Sequence, residues 1–245
     1  MIILSFDTTS ASGGAALSRD GVTLGELEAG GSANYSVELF EITHRLLAAA
    51  SLRLADVELF AVATGPGSFT GIRVGLAAAQ GWAHALGRPV RGVSVFEAML
   101  ARADPSADVA VPLLDARRGE FYLGVFRERA QASAGPAGAT RWTQQGDGLV
   151  LDPPRIAAVA DGLRSESGRG PAFVFRAHDN AARDLCQRLD AARGLSAQKI
   201  GVPGFLAGAI ARVAWQAAGE GRLQRPEELD AYYIRRSDAE LNWRE

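Results

Sequence analysis

The sequence predicts an α/β protein with two lobes of related topology. Two apolar runs each end at an aspartate, Asp7 and Asp115, and each continues through a polar turn into a return strand. This repeated pattern indicates one supersecondary unit used twice. Between the two units, a strand passes through a glycine-rich turn into a long helix, which is typical of α/β folds. A length of 245 residues suits two modest lobes.

The first lobe begins with three predicted strands and a helix. Apolar residues predict strands over Ile2–Phe6, Gly13–Leu17 and Val22–Leu27. The helix is predicted because apolar and small residues then recur at helical spacing, at Leu39, Ile42, Thr43, Leu46, Leu47 and Ala50.

A glycine-rich turn, residues 65–71, joins the strand Leu59–Thr64 to a second helix over about residues 70–86. Gly67 permits a close backbone approach, and Ser68 is predicted to cap the helix. The exposed amides of such a turn can hold a phosphate. However, no lysine follows the glycines as in a Walker loop, and the spacing differs from the dinucleotide fingerprint. A phosphate loop and a structural turn that packs helix on strand therefore both stay open.

Asp7 and Asp115 are the carboxylates best placed to hold magnesium near a phosphate, and the hydroxyl of Thr8 could add a hydrogen bond. The alternative is that each aspartate caps its own turn through an Asx hydrogen bond. The candidate cofactor-binding residues are accordingly Asp7, Thr8, Gly67 and Ser68, and no particular cofactor is predicted.

Catalytic and metal-binding residues are not predicted anywhere. The three histidines, His44, His84 and His178, lie too far apart in sequence to form a chelating pair on one helix. Cys186 is the only cysteine, which excludes an internal disulfide and a thiolate metal site within one chain. The glycine turn also lacks the spacing of a nucleophile elbow.

The second lobe is predicted from the strand Val109–Leu114, its return strand Phe121–Phe126, and a loop or frayed hairpin over Gln131–Gly148. Later elements are the helices Pro154–Leu163 and Ala181–Leu189, the strand Ala172–Phe175 between them, and the helix Phe205–Ala218. We expect residues 1–103 with about 203–222 to form the first lobe, 104–202 the second, smaller lobe, and 223–245 a C-terminal arm.

Composition limits the function classes. The formal net charge of -2 argues against a basic tract that holds nucleic acid unaided. The residues before Asp7 lack a basic leader, and no apolar stretch reaches the length of a membrane span. A cytoplasmic location is therefore expected.

The second helix carries a small-residue face at Gly71, Gly75, Ala79 and Ala83 that would let another helix approach. This face could pack in the core or meet a partner subunit, with Phe40 and Trp82 as candidate anchors. The residues predicted to form the partner interface are Leu39, Ile42, Thr43, Leu46, Ile72, Gly75, Leu76 and Ala79.

Four segments together resemble the TsaB (YeaZ) family: Ile3–Thr9, Gly65–Arg73, Asp115–Arg117 and Leu229–Arg235. The resemblance implies an actin-like ATPase (ASKHA, ribonuclease H-like) fold. It also implies a noncatalytic role in making N6-threonylcarbamoyladenosine in tRNA. The implied partners are the catalytic subunit TsaD, which would contact the two helices of the first lobe, and the ATPase TsaE. The resemblance further implies a homodimer when the chain is alone, and contact with tRNA only through the complex.

The catalytic relatives in the TsaD family place a His-x-x-x-His metal pair after the corresponding helix, whereas Val95 and Met99 stand at those positions here. Neither side chain is a useful ligand for a hard cation. Tyr35 is a departure from the TsaB family itself, which often has histidine there. The alternative function is an ASKHA-type small-molecule kinase or metal-dependent hydrolase that uses the Gly65–Gly71 turn.

Overall fold

A computed structural model describes residues 1–29, 35–129, 141–167 and 170–235, and the predicted loop Gln131–Gly148 lies partly outside them, as does the side chain of Tyr35. The described chain divides into two compact units. Among the described residues, the first contains 1–29, 35–102 and 204–232, and the second contains 103–129, 141–167, 170–203 and 233–235. Residues 223–232, which we expected to form part of a separate arm, thus group with the first unit.

The first unit is built on a five-stranded sheet in the order β3-β2-β1-β4-β5. Strands β1, β4 and β5 are parallel, and β2 and β3 extend the sheet as antiparallel neighbours of β1. The predicted hairpin that begins at the first strand is therefore confirmed. The strands are β1 (Ile2–Asp7), β2 (Gly14–Arg19), β3 (Val22–Glu28), β4 (Leu59–Gly65) and β5 (Val90–Ser94).

Two amphipathic helices, α1 (Tyr35–Ala49) and α2 (Phe69–Leu86), cover one face of this sheet, and α3 (Val95–Ala103) follows β5. Alternate residues of β1, such as Leu4 and Phe6, join the apolar stripes of α1 and α2 in one buried cluster. This arrangement follows from the period of two in a strand and 3.6 in a helix, which place the apolar side chains of each element on one side.

The second unit repeats the strand connections of the first, because its central path runs β10-β7-β6-β11-β12. Its leading strand again lies in the middle, its return strand is antiparallel, and the last two strands are parallel. The related topology of the two lobes is thereby confirmed. The strands are β6 (Val109–Asp115), β7 (Phe121–Leu123), β8 (Phe126–Glu128), β9 (Trp142–Gln144), β10 (Leu149–Leu151), β11 (Ala172–Arg176) and β12 (Gln198–Val202).

The strands of this unit differ in part from those predicted, and β10 was not predicted. The predicted strand Phe121–Phe126 is two strands, since the chain leaves β7 after Leu123 and β8 pairs instead with the beginning of β6. The segment Gln131–Gly148, which the sequence predicts as a loop or a frayed hairpin, contains β9, and its antiparallel pairing with β8 favours the hairpin. Strand β12 was not predicted, because Gln198–Val202 includes Lys199 and lacks a clear apolar alternation. The strand forms because it pairs with β11, although its own residues do not favour a strand.

Helices α4 (Pro153–Ser167) and α5 (Asn180–Arg193) pack on this second sheet, as the sequence predicted for both segments. Asp179 caps α5 by accepting a hydrogen bond from the amide of Ala182 at 2.9 Å. The chain then returns to the first unit as α6 (Ala207–Gly219), on the face of the first sheet opposite α1 and α2. There, the hydroxyl of Ser5 donates to the carbonyl of Ala207 at 2.8 Å.

Cys186 lies on the buried face of α5, and burial raises the pKa of its thiol from the ordinary 9.0 to about 12. Thiolate is the reactive form, so we expect iodoacetamide to leave Cys186 unmodified at pH 8 in the folded protein. Labelling should begin only when urea unfolds the second unit, which mass spectrometry would follow at this single site. Rapid labelling without urea would contradict the buried placement.

The segment that follows α6 is fastened along β5 and α2. Gln224 and Val90 exchange two backbone hydrogen bonds of 2.9 Å, forming an antiparallel bridge at the edge of the sheet. On α2, the side-chain amide of Gln80 donates to the carbonyls of Pro226 and Leu229 at 3.0 and 2.9 Å. Residues 224–229 are thus held against the first unit by main-chain as well as side-chain contacts.

Within the described ranges, no helix is long and apolar enough to cross a membrane.

Candidate functional site

The glycine turn joins β4 to α2 through a cis peptide bond between Gly65 and Pro66. Ser68 caps α2 as predicted, because its hydroxyl accepts a hydrogen bond from the amide of Gly71 at 3.2 Å. The helix also ends where predicted, at about residue 86, because Gly87 takes the left-handed conformation at the C-cap with φ of 62°.

The end of β1 packs directly on this turn. The amide of Ser68 donates to the carbonyl of Thr9 at 2.8 Å, and the hydroxyl of Thr8 donates to the carbonyl of Gly71 at 2.7 Å. A Cβ atom on Gly67 would lie 2.5 Å from the Thr9 oxygen, and one on Gly71 would overlap the carbonyl of Thr8. The two glycines are therefore needed for close packing of one loop on another.

Both predicted carboxylates form Asx turns. Asp7 is fully buried, and its Oδ1 accepts from the amide of Thr9 at 3.0 Å and from the Thr9 hydroxyl at 2.6 Å. In the second unit, Oδ1 of Asp115 accepts from the amide of Arg117 at 2.7 Å. The capping alternative thus accounts for the position of each aspartate.

These contacts give the glycine turn a structural role in the first unit. A ligand-binding role for Asp7, Thr8, Gly67 and Ser68 stays a prediction. In the described part of the chain, no group of three or more His, Cys, Asp or Glu side chains is arranged to hold a metal ion.

The structure places all eight residues of the predicted partner interface inside the first unit. The stripes on α1 and α2 face the sheet, because burying apolar side chains there removes them from water. A partner that contacts these helices would therefore meet mainly their outward residues, together with Thr43, which also lines a surface groove. The buried residues are Leu39, Ile42, Thr43, Leu46, Ile72, Gly75, Leu76 and Ala79.

The outward face of α1 carries two exposed large apolar side chains, Val37 at 60% and Phe40 at 59% exposure. The Phe40 ring meets Trp82 of α2 edge-on, with ring centroids 5.0 Å apart. Trp82 in turn contacts the buried Phe6 at 5.3 Å and Phe60 at 6.2 Å. An exposed aromatic ring is therefore held in a fixed orientation by a ring that reaches into the core.

An apolar groove of about 370 Å³ opens beside Phe40. The residues after α1 form its far wall, while the predicted interface residue Thr43 and also His44 and Arg53 supply polar groups. Arg53 pairs with Asp56 at 3.1 Å. Phe40 and Trp82 could be identified from sequence as candidate anchors, but the contribution of the residues after α1 could not. The apolar lining comprises Phe40, Leu47, Ala48, Leu52, Leu54 and Trp82. We refer to Val37, Phe40 and this groove as the α1 patch.

Residues 30–140 match the family model for TsaD, tRNA N6-adenosine threonylcarbamoyltransferase. A Bacillus subtilis protein called tRNA threonylcarbamoyladenosine biosynthesis protein TsaB is 34% identical over 127 residues, 52% of this chain and 56% of that protein. The Escherichia coli protein of the same name is 32% identical over 129 residues, 52% of this chain and 55% of that one. The chain belongs to the TsaB (YeaZ) family.

The chain spans only about half the length of these two TsaB relatives. An uncharacterized protein of Mycobacterium tuberculosis is similar over nearly the whole chain, with 30% identity over 240 residues, 97% of this chain and 93% of that protein. Among solved structures, YeaZ from Pseudomonas aeruginosa superimposes with a TM-score of 0.73 at 23% identity, over 95% of this chain and 99% of that one. The chain therefore shares the fold of that YeaZ structure.

Proposed function

We propose that this chain is a noncatalytic partner subunit of the machinery that makes N6-threonylcarbamoyladenosine in tRNA. Its TsaB relatives bear the name of this biosynthesis. The observation that carries the proposal is the α1 patch, where an aromatic pair and an apolar groove are open to solvent. The proposed occupant is a TsaD-like catalytic subunit, with a TsaE-like ATPase joining the complex.

The geometry of the α1 patch suits a protein partner. Hot spots at interfaces are enriched in aromatic residues that fill pockets at the centre of the contact. Phe40 offers such a ring without reorganisation, because its edge-on contact with Trp82 already fixes it. Exposed apolar surface with a polar rim is typical of interaction sites. The same patch would support a homodimer when the catalytic partner is absent.

The noncatalytic part of the proposal is supported by Val95 and Met99. Both side chains are fully buried in α3, among the residues of the first unit. They occupy the positions where the catalytic relatives are expected to carry histidines, and an alkyl group and a thioether are poor ligands for a hard cation. In this proposal the chain works in the cytoplasm and meets tRNA only within the complex.

Reconstitution tests the proposed function. The purified chain would be assayed alone and with TsaD-like and TsaE-like proteins, using ATP, an activated threonylcarbamoyl donor and an unmodified tRNA that reads codons starting with A. Mass spectrometry of nucleosides would measure the modified adenosine. We expect no product from the chain alone, and product from the full set that disappears when this chain is omitted. Product formed by this chain without the others would overturn the noncatalytic assignment.

Tight binding and turnover of ATP by the chain would support a kinase or hydrolase instead. Calorimetry with magnesium and ATP measures this directly, and we expect neither tight binding nor turnover for the chain alone.

A further inference from the structure

The turn between β6 and β7 places two arginines in an unusual backbone conformation. Arg117, Arg118 and Gly119 all have positive φ, at 65°, 59° and 76°. The amide of Glu120 donates to the carbonyl of Arg117 at 3.1 Å, closing a turn whose two central residues are Arg118 and Gly119. Positive φ at both central positions is the requirement of a type I′ turn, for which Asn-Gly is strongly preferred.

Contacts on several sides fix this turn. The Asp115 carboxylate accepts from the amide of Arg117, while the amide of Asp115 donates to Asp179 at 2.8 Å. Arg235 donates to the carbonyl of Ala116 at 2.8 Å and also pairs with Glu120. The tip of the turn is thus held rigidly within the second unit, and its left-handed backbone is imposed by the surroundings.

The contacts of the Arg117 side chain do not explain why this position is arginine. The side chain of Arg117 is 88% exposed, and its Nη1 lies 3.7 Å from Oδ2 of Asp115. An ion pair so exposed adds little to stability. Glycine would adopt the same φ without the steric cost that L-residues carry there. Strained residues of this type concentrate at functional sites, where the side chain has a use.

The carboxylates around the tip of the turn are engaged in other contacts. Asp179 caps α5 through Ala182 in addition to holding Asp115. Glu120 is paired with Arg235, whose guanidinium also lies over the ring of Tyr122, 5.7 Å from its centroid. The carboxylates near the turn are therefore committed to holding its shape, and the guanidinium of Arg117 extends beyond them.

We propose that Arg117 at the tip of this turn contacts the phosphodiester backbone of the tRNA, with Arg118 beside it. The inference rests on the proposed function, since the tRNA would reach this turn within the complex. A guanidinium group binds a phosphate in a bidentate manner, and a rigid turn presents it at little conformational cost. One such contact positions the RNA without reading its sequence, which fits a chain that has no basic tract.

The test compares Arg117→Gly with wild type in the reconstituted complex, using the same unmodified tRNA. Glycine keeps the left-handed turn and removes only the guanidinium, so the thermal midpoint should stay constant or rise. We expect tRNA affinity to fall about five- to tenfold, and the slope of log K against log salt concentration to become shallower by about one. Arg117→Lys keeps the charge and should retain most of the slope.

Arg155→Gln is the matched control, because it removes one exposed positive charge from α4 of the same unit. Equal weakening by Arg155→Gln would overturn the inference, as would unchanged affinity and slope in Arg117→Gly. Loss of co-purification with the TsaD-like subunit in Arg117→Gly would show a protein contact and overturn it too. If the wild-type chain does not support modification at all, the proposed function fails first, and that result is distinct from unchanged binding by the variant.

Discussion

Alanine at position 71 is expected to lower the free energy of unfolding of the first unit by about 3 kcal/mol, because its Cβ would overlap the carbonyl of Thr8. The new Cβ is attached rigidly to the backbone of α2, and the carbonyl oxygen belongs to the backbone of Thr8, so no side-chain rotation can separate them. The carbonyl carbon of Thr8 would also lie only 3.0 Å away. Urea unfolding followed by tryptophan fluorescence measures the loss.

Gly81→Ala is the matched control for Gly71→Ala, since both positions lie on α2 and a Cβ on Gly81 meets nothing within 4 Å. Here alanine should raise the free energy of unfolding by about 0.5–1 kcal/mol, because glycine is the poorer helix former. If alanine lowers the free energy of unfolding at position 71 and raises it at position 81, then packing against Thr8 causes the loss at position 71. Equal effects at both positions would contradict the close contact.

Phe40→Asp is expected to weaken binding of the TsaD-like partner by at least about 30-fold, the equivalent of a hot spot of about 2 kcal/mol. The free energy of unfolding should fall by no more than about 1.5 kcal/mol, because the ring is 59% exposed and loses only its edge-on contact with Trp82. Calorimetric titration of the two purified proteins measures the affinity, and urea unfolding measures the stability.

Leu149→Asp provides the control for Phe40→Asp, since Leu149 is an exposed apolar residue of the second unit at 40% exposure. It should leave partner affinity unchanged. A charge at the buried Leu46 or Leu76 would be a poor test, because unfolding alone would abolish binding. Full affinity in Phe40→Asp would remove the α1 patch from the proposed interface.

Local sequence patterns predicted the elements that depend on neighbours in the chain. The strand that ends at Asp7, the cap at Ser68 and the stop at Gly87 were all predictable, because each depends on residues within one turn. The repeated strand-aspartate-turn pattern at Asp115 also predicted the related topology of the second unit. These features require no knowledge of distant contacts.

The features that depend on tertiary contacts were not predictable from local patterns. An apolar stripe on α1 predicts that one face is buried, but not whether a sheet or a partner buries it, so Leu39 and Leu46 were assigned to an interface. Strand β12 forms because β11 offers it a parallel neighbour. Likewise, the groove beside Phe40 exists only where Leu52 and Leu54 fold back against α1.

The fastening of Gln224 to Val90 bears on how copies of this protein behave at high concentration. A free sheet edge is a template for strands of other molecules, and here the segment after α6 occupies part of the β5 edge. At the opposite edge, β3 carries Glu26 and Glu28 and an irregular register with β2, features that discourage such pairing. The β5 edge is thus partly occupied by its own chain, whereas the β3 edge combines two glutamates with the exposed side chains of Val22 and Leu24, so any association between sheets at high concentration should begin at β3.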